Sequence, residues 1–310
     1  MRLSSRASLP GRVLISGANG YIGRHVAAAF VERGAEVHAL VRHSSRIEPL
    51  LDLVPEVRVH RCDESLNDVP EVVRASRPGL VVHLAARITA GLETGELTRL
   101  VKSNILLGAH LLQAQHQSVG GGFINTGTFW QHAGGRGYSP VNLYAATKQA
   151  FEAILGHYCA AGRIRAMTLV LYDVYGQADP RARLISQLHD ALRTGQQLSL
   201  SPGKQQLEMV HVSDVAAAYV RAAELMEGSP RFGDCRRFGV TSSAPLTLRD
   251  VVATYARIAG RRPPVKWGGR PYREREVMKP RRFRRLPGWT PLLPLEDGLR
   301  LVLESDGLLG

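Results

Sequence analysis

The stretch RVLISGANGYIG, residues 12–23, decides the fold. Its first half, residues 12–17, is short and apolar, as expected of a buried strand. Glycines follow at once, an amphipathic helix then runs to about residue 33, and a second strand, EVHALV, begins at residue 36. A glycine pattern inside this β-α-β context predicts a dinucleotide-binding site.

The three glycines of this loop are expected to have different tasks. Gly17 permits a tight turn, Gly20 lets the backbone approach a pyrophosphate, and Gly23 allows close packing of helix on strand. The N-terminus of the helix offers free N–H groups to the phosphates. The expected cofactor contacts of the loop are Gly17, Asn19, Gly20, Tyr21, Ile22 and Gly23. A glycine-rich turn that binds no ligand is the alternative.

The end of the second strand indicates which dinucleotide is bound. NAD sites usually carry an Asp or Glu there, which holds the ribose hydroxyls. This strand ends LVRHSSR, residues 40–46, without an acidic residue. Arg42, Ser44 and Arg46 are suited to a 2′-phosphate, since arginine provides charge-assisted hydrogen bonds. NADP(H) is therefore the predicted cofactor, and a solvated basic loop is the alternative.

Strands and helices alternate along the first half of the chain. Further strands are predicted at 57–63, 80–86, 121–128 and 166–176, and helices at 96–117 and 141–162. This alternation predicts an α/β fold with a Rossmann-like, doubly wound parallel sheet. Asp63, at the end of the third strand, is expected to meet the adenine. Leu84, Ala85 and Ala86 follow the fourth strand, where small residues would let the cofactor pass close by.

The alternation loosens after about residue 176, where Pro, Gly and Arg become frequent. We predict a disordered N-terminal tail over residues 1–10 and an NADP-binding Rossmann domain over 11–176. Residues 177–310 are predicted to form mainly a smaller C-terminal substrate-binding region. About residues 207–240 are expected to return from that region to the Rossmann domain.

The segment YAATK, residues 144–148, is a candidate proton-handling site. A lysine four positions after a tyrosine lies on the same helix face, and its charge favours the phenolate. Tyr144, whose ordinary pKa is about 10, would thereby come nearer to a useful range. Thr128, at the end of the fifth strand, is placed to hydrogen-bond a substrate oxygen. A simple pair on a helix surface is the alternative.

Composition narrows the classes of function without choosing one. The chain has 310 residues, of which 44% are hydrophobic, and a formal net charge of +13. No apolar run is long enough to cross a bilayer or to serve as a signal peptide, and Cys62, Cys159 and Cys235 show no metal-ligand spacing. We expect a cytoplasmic protein with free thiols, without a metal or a membrane partner. The arginines are spread out except at 281–285, so a phosphate-bearing substrate is favoured over nucleic acid.

Together, these motifs resemble the extended short-chain dehydrogenase/reductases, that is, the NAD-dependent epimerase/dehydratase family. The matching stretches are GANGYIG, Asp63, HLAA at 83–86, Asn104, Thr128, YAATK, DVYG at 173–176, HVSDVAAAY at 211–219 and LPGWTP at 286–291. The resemblance covers about residues 12–303 and implies a homodimer that acts on nucleotide-linked sugars.

The same resemblance implies roles for four catalytic residues. Tyr144 would be the acid/base, and Thr128 would bind the substrate oxygen. Lys148 would lower the pKa of Tyr144 and hold the nicotinamide ribose, and Asn104 would support the site. Tyr144, Lys148 and Asn104 are therefore also expected among the cofactor contacts.

The residues after Thr128 narrow the chemistry within that family. The resemblance implies an Asp-Glu pair at this point in 4,6-dehydratases, whereas this chain has Phe129 and Trp130, which cannot transfer protons. No cysteine lies near Thr128 to serve an epimerase-reductase, and His132 alone is expected to be a polar loop residue. Because the strand end is of the NADP type, an epimerase that retains NAD is disfavoured. A simple ketoreductase remains.

Residues 125–132, 138–155 and 267–278 are similar to the CDP-abequose and CDP-paratose synthase group. That resemblance implies reduction, with NADPH, of the 4-keto group of a CDP-linked 3,6-dideoxyhexose, with Thr128, Phe129 and Trp130 near the sugar. Two positions depart from the pattern. Asp173 replaces a substrate-binding Asn, and Leu207 replaces a frequent Arg. Candidates for the diphosphate contacts are then Arg183, Arg273 and Arg275, for which surface charge is the alternative.

Three other functions stay open at this point. One is an NAD(P)-dependent nucleotide-sugar epimerase, and a second is a reductase of a carbonyl metabolite unrelated to sugars. The third, from a different class, is a non-catalytic NADP-sensing or RNA-associated protein. The apolar faces of the helices at 96–117 and 141–162 would either pair across the homodimer or cover their own sheet.

Overall fold

A computed structural model describes residues 9–88, 95–118, 120–134, 137–228 and 235–309. The first eight residues of the predicted N-terminal tail lie outside these ranges. Within them, the central sheet has seven parallel strands: β1 (Arg12–Ser16), β2 (Glu36–Arg42), β3 (Arg58–Cys62), β4 (Leu80–His83), β5 (Gly121–Thr128), β6 (Ile164–Leu171) and β11 (Cys235–Gly239). Their order, β11-β6-β5-β4-β1-β2-β3, confirms the predicted Rossmann-like, doubly wound sheet.

The strand order reverses between β1 and β4, and this reversal places the site. Connections from the two strands leave toward opposite faces of the sheet, which opens a crevice at their carboxyl ends. The glycine loop, residues 17–23, and residues 84–86 follow these two strands directly, so both lie at the crevice. The fourth strand is shorter than predicted: Leu84 N still donates to Ser16 O (3.0 Å), and beyond it the chain leaves the sheet.

Helices cover both faces of the sheet. Those in the described ranges are α1 (Tyr21–Glu32), α2 (Glu48–Leu51), α3 (Val69–Ser76), α4 (Glu96–Val101), α5 (Leu107–Gln117), α6 (Leu143–Ala160), α7 (Leu184–Thr194), α8 (Val212–Glu227), α9 (Leu248–Ile258) and α10 (Leu295–Ser305). α1 and α8 share one buried apolar cluster with the sheet, and α3, α5 and α6 share another on the opposite face. The two helices proposed for a dimer thus cover their own sheet, and pairing across a dimer stays a prediction.

The helix predicted over residues 96–117 is interrupted by a wider turn. α4 and α5 are joined by the π-helical segment Lys102–Leu106, and the helix predicted at 141–162 is α6. The π-helical segment contains Asn104, whose side chain is fully buried. Single π-helical turns inside α-helices frequently occur at functional sites.

The C-terminal part carries short strands and a core of its own. The strands are β7 (Asp173–Tyr175), β8 (Leu198–Leu200), β9 (Gln206–Leu207), β10 (Met209–His211), β12 (Leu246–Thr247) and β13 (Val265–Trp267), paired as β7 with β10, β8 with β13 and β9 with β12. Apolar side chains of α7, α9 and α10 form the buried cluster between these strands. One wall of the crevice is therefore built by the sheet and the other by this cluster.

Two segments from the second half of the chain lie against the sheet. α8 packs on α1, and β11 pairs with β6 at the edge, with Phe238 opposite Leu169. The division into domains stays a prediction. Among the described residues, no helix has the combined length and apolarity that a bilayer crossing requires.

Candidate active site

The glycine loop has the shape of a phosphate cradle. Gly17 adopts a positive φ of 75°, and a Cβ there would lie 2.6 Å from the backbone nitrogen of Ala85. A Cβ on Gly23 would overlap the carbonyl oxygen of Gly17. Gly20 is the N-cap of α1 and provides no side-chain cap, so the first N–H groups of the helix point toward the crevice without a side-chain partner. The loop therefore fits a dinucleotide pyrophosphate.

The basic loop after β2 is fixed by residues outside it. Arg61 Nη1 donates to the carbonyl oxygen of His43 (2.7 Å), and Asn19 Nδ2 donates to that of Arg46 (3.3 Å). Arg42, Ser44 and Arg46 are exposed, and their contact with a cofactor stays a prediction. Arg61 was not expected from the sequence, although the pairing of β2 with β3 places it opposite Val41, at the strand end.

Asp63 lies at the end of β3, where it was expected, but its carboxylate already has partners. Its Oδ1 accepts hydrogen bonds from Ser65 Oγ (2.7 Å) and from Leu66 N (2.9 Å). The hydrogen bond from Ser65 is the main reason that the pKa of Asp63 is lowered. The carboxylate closes the turn after β3, and its contact with adenine stays a prediction.

Thr128 and Tyr144 lie together at the end of β5. Tyr144 stands in the first turn of α6, which is fixed by Asn142 Oδ1 accepting from Ala145 N (3.0 Å). The Tyr144 side chain is buried and hydrogen-bonded with Thr128. Burial raises the pKa of Tyr144 to about 12, while the charge of Arg183 and the hydrogen bond with Thr128 act in the opposite direction. The phenol is thus fully protonated at neutral pH.

Lys148 lies one helical turn beyond Tyr144 and is 1% exposed. Its Nζ has no hydrogen-bond partner within the described part of the chain. Burial lowers the pKa of Lys148 to about 8, and the charge of Glu152 opposes that shift. An unsatisfied buried ammonium facing the crevice fits a ribose hydroxyl as ligand. That Lys148 also lowers the pKa of Tyr144 stays a prediction.

The buried carboxylate of Glu152 links α6 to two other elements. Its Oε1 accepts from Gln131 Nε2 (3.0 Å), and its Oε2 accepts from Arg237 of β11. Gln131 Oε1 in turn accepts from the backbone N of Thr128 (2.9 Å). Sequence reasoning missed this network; the only local signal was the position of Glu152, four residues after Lys148 on the same helix face.

Asn104 supports the site from behind. Its Oδ1 accepts from Arg87 N (2.7 Å), and its Nδ2 donates to Arg87 O (3.0 Å) and to Thr147 Oγ1 (3.0 Å). The amide thus ties the chain after β4 to α6 beside Lys148. This geometry fits the expected supporting role, and a direct contact with cofactor stays a prediction.

A cavity of about 900 Å³ connects the glycine loop to the C-terminal wall. The predicted residues that line it are Gly17, Gly20, Tyr21, Ile22, Gly23, Leu84, Ala86, Thr128, Phe129, Trp130, Tyr144, Lys148, Asp173, Arg183 and Arg273. The predicted residues outside its lining are Asn19, Arg42, Ser44, Arg46, Asp63, Ala85 and Asn104. The structure therefore brings together both ends of the predicted site, with the Tyr144–Thr128 pair between them.

The far end of the cavity combines one carboxyl group, that of Asp173, with the guanidinium groups of Arg183 and Arg273. Burial raises the pKa of Asp173 to about 6, and the charges of Arg183 and Arg273 oppose the shift. Asp173 Oδ2 accepts from Glu208 N (3.2 Å). The Arg273 guanidinium lies over the Trp130 ring, 4.9 Å from its centroid. Such a site offers cations to a diphosphate and an acceptor to a hydroxyl group.

The segment that carries Arg273 is held over the cavity by two anchors. Arg275 donates to Pro140 O (3.0 Å) and to Ser139 Oγ (2.6 Å), so its guanidinium is engaged with the chain before α6. Tyr172, stacked on Phe129 at 5.2 Å between ring centroids, donates to Arg281 O (2.5 Å). Of the three arginine candidates for a diphosphate, Arg183 and Arg273 thus lie in the cavity, and Arg275 anchors its wall.

Comparison with known sequences agrees with this arrangement. The profile of the NAD dependent epimerase/dehydratase family matches residues 13–233, which span the glycine loop, Tyr144, Lys148 and α8. The chain belongs to this family. Its predicted membership is thereby confirmed.

Individual relatives in the epimerase/dehydratase family have different activities. The chain is 25% identical over 274 residues to the CDP-abequose synthase of Yersinia pseudotuberculosis, covering 87% of this chain and 91% of that protein. It is 22% identical over 337 residues to a probable UDP-glucuronate 4-epimerase of Rhizobium meliloti strain 1021, covering 94% and 96%. The solved structure of MoeE5 in complex with UDP-glucuronic acid and NAD shares the fold, with a TM-score of 0.81 at 24% identity over 96% of this chain and 99% of MoeE5.

Proposed function

We propose that the protein is an NADPH-dependent reductase of the 4-keto group of a nucleotide-linked deoxyhexose, of the CDP-3,6-dideoxyhexose type. The observation that carries the proposal is the hydrogen-bonded Thr128–Tyr144 pair inside one cavity, between a phosphate cradle and an arginine-bearing wall. A proton donor at that point lies between the places expected for a cofactor and for a sugar diphosphate. Resemblance to CDP-abequose synthase supports the 4-keto position and the CDP carrier.

Tyr144, Thr128 and Lys148 each have a definite task in this reaction. The cofactor, when bound, supplies the hydride. Tyr144 gives its proton to the alkoxide that develops on the former ketone oxygen, and Thr128 donates a hydrogen bond to the same oxygen. Because the pKa of Tyr144 is about 12, the phenol carries the needed proton throughout the neutral range. Lys148 binds the ribose and places positive charge beneath the site.

The preference for NADP(H) rests on the loop after β2. Arg42, Ser44 and Arg46 are exposed at the end of β2, and residues 40–46 include no acidic residue. Arg46 also pairs with the exposed carboxylate of Glu48 (3.7 Å), which a 2′-phosphate would replace. Arg61 holds the loop by three carbonyl contacts, which reduces the entropy lost when a phosphate is bound. A homodimer and a nucleotide-sugar substrate belong to the same proposal.

A nucleotide-sugar 4-epimerase is the second candidate. The relative named as a probable UDP-glucuronate 4-epimerase and the NAD bound in MoeE5 favour it. Both reactions pass hydride at C4 beside a tyrosine, and they differ in whether the cofactor leaves oxidised. An epimerase would interconvert two sugars without net consumption of NADPH.

The decisive experiment measures binding and turnover on one preparation. Binding of NADPH, NADH, CDP, dTDP, UDP and GDP is measured by calorimetry, and NADPH oxidation is then followed with a 4-keto-3,6-dideoxyhexose linked to the preferred carrier. We expect tight NADPH binding, one preferred diphosphate and stoichiometric NADPH consumption. NADH preference with no net oxidation would transfer the assignment to the epimerase.

Substitution Tyr144→Phe tests the proton donor. We expect NADPH binding to be retained and turnover to fall by about 10²–10⁴-fold, the usual contribution of a general acid. Tyr138→Phe, at an exposed tyrosine (54%), is the matched control and should keep full activity. Full activity of the Tyr144 variant would refute the proposed mechanism.

A further inference from the structure

We propose that Glu152 is a positioning residue: through Gln131 its buried carboxylate holds the turn that presents Thr128, and it places a negative charge one helical turn from Lys148 on the same face of α6. The assignment rests on the proposed reductase function for its consequence in catalysis. The effects of Glu152 on Thr128 and on Lys148, however, are properties of this chain alone, and the effect on Lys148 can be measured without substrate.

The position of Glu152 is unusual for a glutamate. The side chain is 5% exposed, and its two oxygens are occupied by different elements, Gln131 before α6 and Arg237 on β11. Buried carboxylates are stable only when paired and hydrogen-bonded, and both conditions are met here. A glutamine or leucine would cover the same sheet surface, so the negative charge itself requires an explanation.

The first consequence concerns Thr128. Gln131 Nε2 donates to Glu152 Oε1, which orients the Gln131 amide so that its Oε1 accepts from Thr128 N (2.9 Å). The Thr128 side chain accepts from Trp130 N (3.3 Å), which completes a capping box around the short turn Phe129–Gln131. A Cβ on Gly127 would lie 3.1 Å from Glu152 Oε1, so the backbone beneath Thr128 also packs on the carboxylate. Glu152 thus fixes the direction of the Thr128 hydroxyl.

The second consequence concerns Lys148, one turn earlier on α6. Lys148 Nζ has no hydrogen-bond partner within the described residues, and Glu152 supplies the charge that opposes its desolvation. The other ionisable groups near it come from α6, β4 and the N-cap of α7. Tyr144 is neutral at pH 7. His83 is neutral as well, because burial and the charge of Lys148 lower its pKa to about 3. The positive charge of Arg183 lowers the pKa of Tyr144 and offers no attraction to the Lys148 ammonium. Of these groups, Glu152 is the one whose charge favours the ammonium form.

Glu152 in turn faces three titratable groups besides Lys148. Arg237 is its ion-pair partner, and the carboxylate also acts on His132 and on Cys235. Burial lowers the pKa of His132, so this imidazole is neutral at pH 7. Removal of the Arg237 charge should therefore strengthen the effect of Glu152 on Lys148, whereas removal of the Glu152 charge should abolish it.

The test uses the small number of lysines. Only Lys102, Lys148, Lys204, Lys266 and Lys279 occur in the chain, so ¹³Cε-labelled lysine gives five resolvable NMR signals, and Lys148→Met assigns the one of interest. The signal is titrated from pH 6 to 10 in the full chain. We expect Glu152→Gln to lower the Lys148 midpoint by about one pH unit, the shift typical of a close opposite charge. Arg237→Met should move it in the opposite direction.

Two further variants separate the roles. Gln131→Leu breaks the connection to Thr128 and should reduce turnover while the Lys148 midpoint stays unchanged. Glu224→Gln is the control, since Glu224 is likewise paired with arginine, in its case Arg33 and Arg221, but lies on α8. It should alter neither the midpoint nor turnover.

The proposal is overturned if Glu152→Gln leaves the Lys148 midpoint in place, or if the glutamate and arginine variants shift it in the same direction. If Glu152→Gln does not fold, the Arg237→Met titration decides alone: a raised midpoint supports the proposal, and an unchanged or lowered one overturns it. A shifted midpoint in a protein that oxidises no NADPH would refute the reductase function and leave the effect of Glu152 on Lys148 established.

Discussion

At the residue scale, the buried charge of Lys148 makes the folded protein less stable than an apolar side chain at the same position would. Its side chain is 1% exposed and carries a charge without a hydrogen bond in the described structure. Its pKa of about 8 in the folded chain lies below the ordinary lysine value of 10.5, so the unfolded chain binds the proton more tightly. The destabilisation is fully present below pH 8 and is relieved as the pH rises from 8 to 10.5.

Lys148→Met should therefore stabilise the protein while it abolishes turnover. We expect the free energy of unfolding at pH 7 to rise by about 1–3 kcal/mol, since one pKa unit corresponds to about 1.4 kcal/mol. Urea denaturation at pH 7 and pH 9.5 is the measurement, and the gain should be smaller at the higher pH. Lys266→Met, at an exposed lysine, is the control and should change little. A less stable Lys148 variant would contradict the inferred burial penalty.

Asp173 should make binding of a nucleotide sugar depend on pH. Its carboxylate shares the cavity wall with Arg183 and Arg273, and its pKa is raised to about 6 by burial. Below pH 6 the carboxyl becomes neutral, so the two arginines attract a diphosphate without an opposing negative charge. The affinity for the preferred nucleotide sugar should rise about fivefold from pH 7.5 to 5.5.

Calorimetry on Asp173→Asn checks this dependence. The amide cannot ionise, so the variant should bind with nearly equal affinity at both pH values and more tightly than the unaltered protein at pH 7.5. If the variant kept the same slope, another group of the cavity, such as His189, would be responsible.

At the element scale, the loop after β2 is the part of the structure on which the proposed preference for NADP(H) rests. Arg42→Ala should raise the KM for NADPH about 10–100-fold and leave the KM for NADH nearly unchanged, since a charge-assisted hydrogen bond to a phosphate contributes about 1.5–3 kcal/mol. Initial rates with both cofactors give the comparison. Arg58→Ala is the control, because Arg58 lies on the neighbouring strand β3 but at its other end, opposite His38, where it pairs with Glu36 (2.7 Å). Equal effects on both KM values would remove the argument for NADP(H).

The elements that the sequence predicted well are those that local patterns determine. The first β-α-β unit needs only an apolar strand, three glycines at fixed spacing and an amphipathic helix, and all of these are visible within residues 12–41. The predicted proximity of Thr128 and Tyr144 rested on Thr128 at the end of the fifth strand, ahead of YAATK in the chain, and on the family resemblance. The hydrogen bond between them agrees with it.

What the sequence did not predict depends on contacts between distant segments. The segment 96–117 was predicted as one continuous helix, because a single wider turn hardly changes the spacing of its apolar residues. In the structure, Asn104 lies in a π-helical turn and its side chain contacts the backbone of Arg87. Arg237 meets Glu152 across 85 positions of the chain. Partners so far apart leave no periodic signal in a single sequence.

At the scale of the whole molecule, the cavity lies between the sheet, with its two apolar clusters, and the separate apolar cluster of the C-terminal part. The sheet with its helices provides one wall, and the cluster of α7, α9 and α10 provides the other. A nucleotide sugar that contacts both walls should stabilise the folded arrangement in which the two walls face each other, because a bound ligand favours the state that binds it. Part of the net charge of +13 is placed where this ligand would bring its phosphates, at Arg183 and Arg273.

Asp214 is a polar connection between the sheet side of the molecule and the start of α10. It lies in the first turn of α8, is buried, and accepts from Leu292 N (2.9 Å) and Leu293 N (3.0 Å), while its own carbonyl accepts from Trp289 Nε1 (3.0 Å). These residues lead directly into α10. The carboxylate thus fixes the start of the last helix on the sheet side of the molecule.

Asp214→Ala should lower the free energy of unfolding by about 2–5 kcal/mol, because two backbone N–H groups lose their acceptor at about 1–3 kcal/mol each. Urea denaturation followed by tryptophan fluorescence is suitable, since Trp289 is part of this connection. Asp190→Ala, at an exposed aspartate of α7, should stay within about 0.5 kcal/mol. A small effect at Asp214 would mean that apolar packing alone holds α10, and the C-terminal wall would then keep its place without this carboxylate.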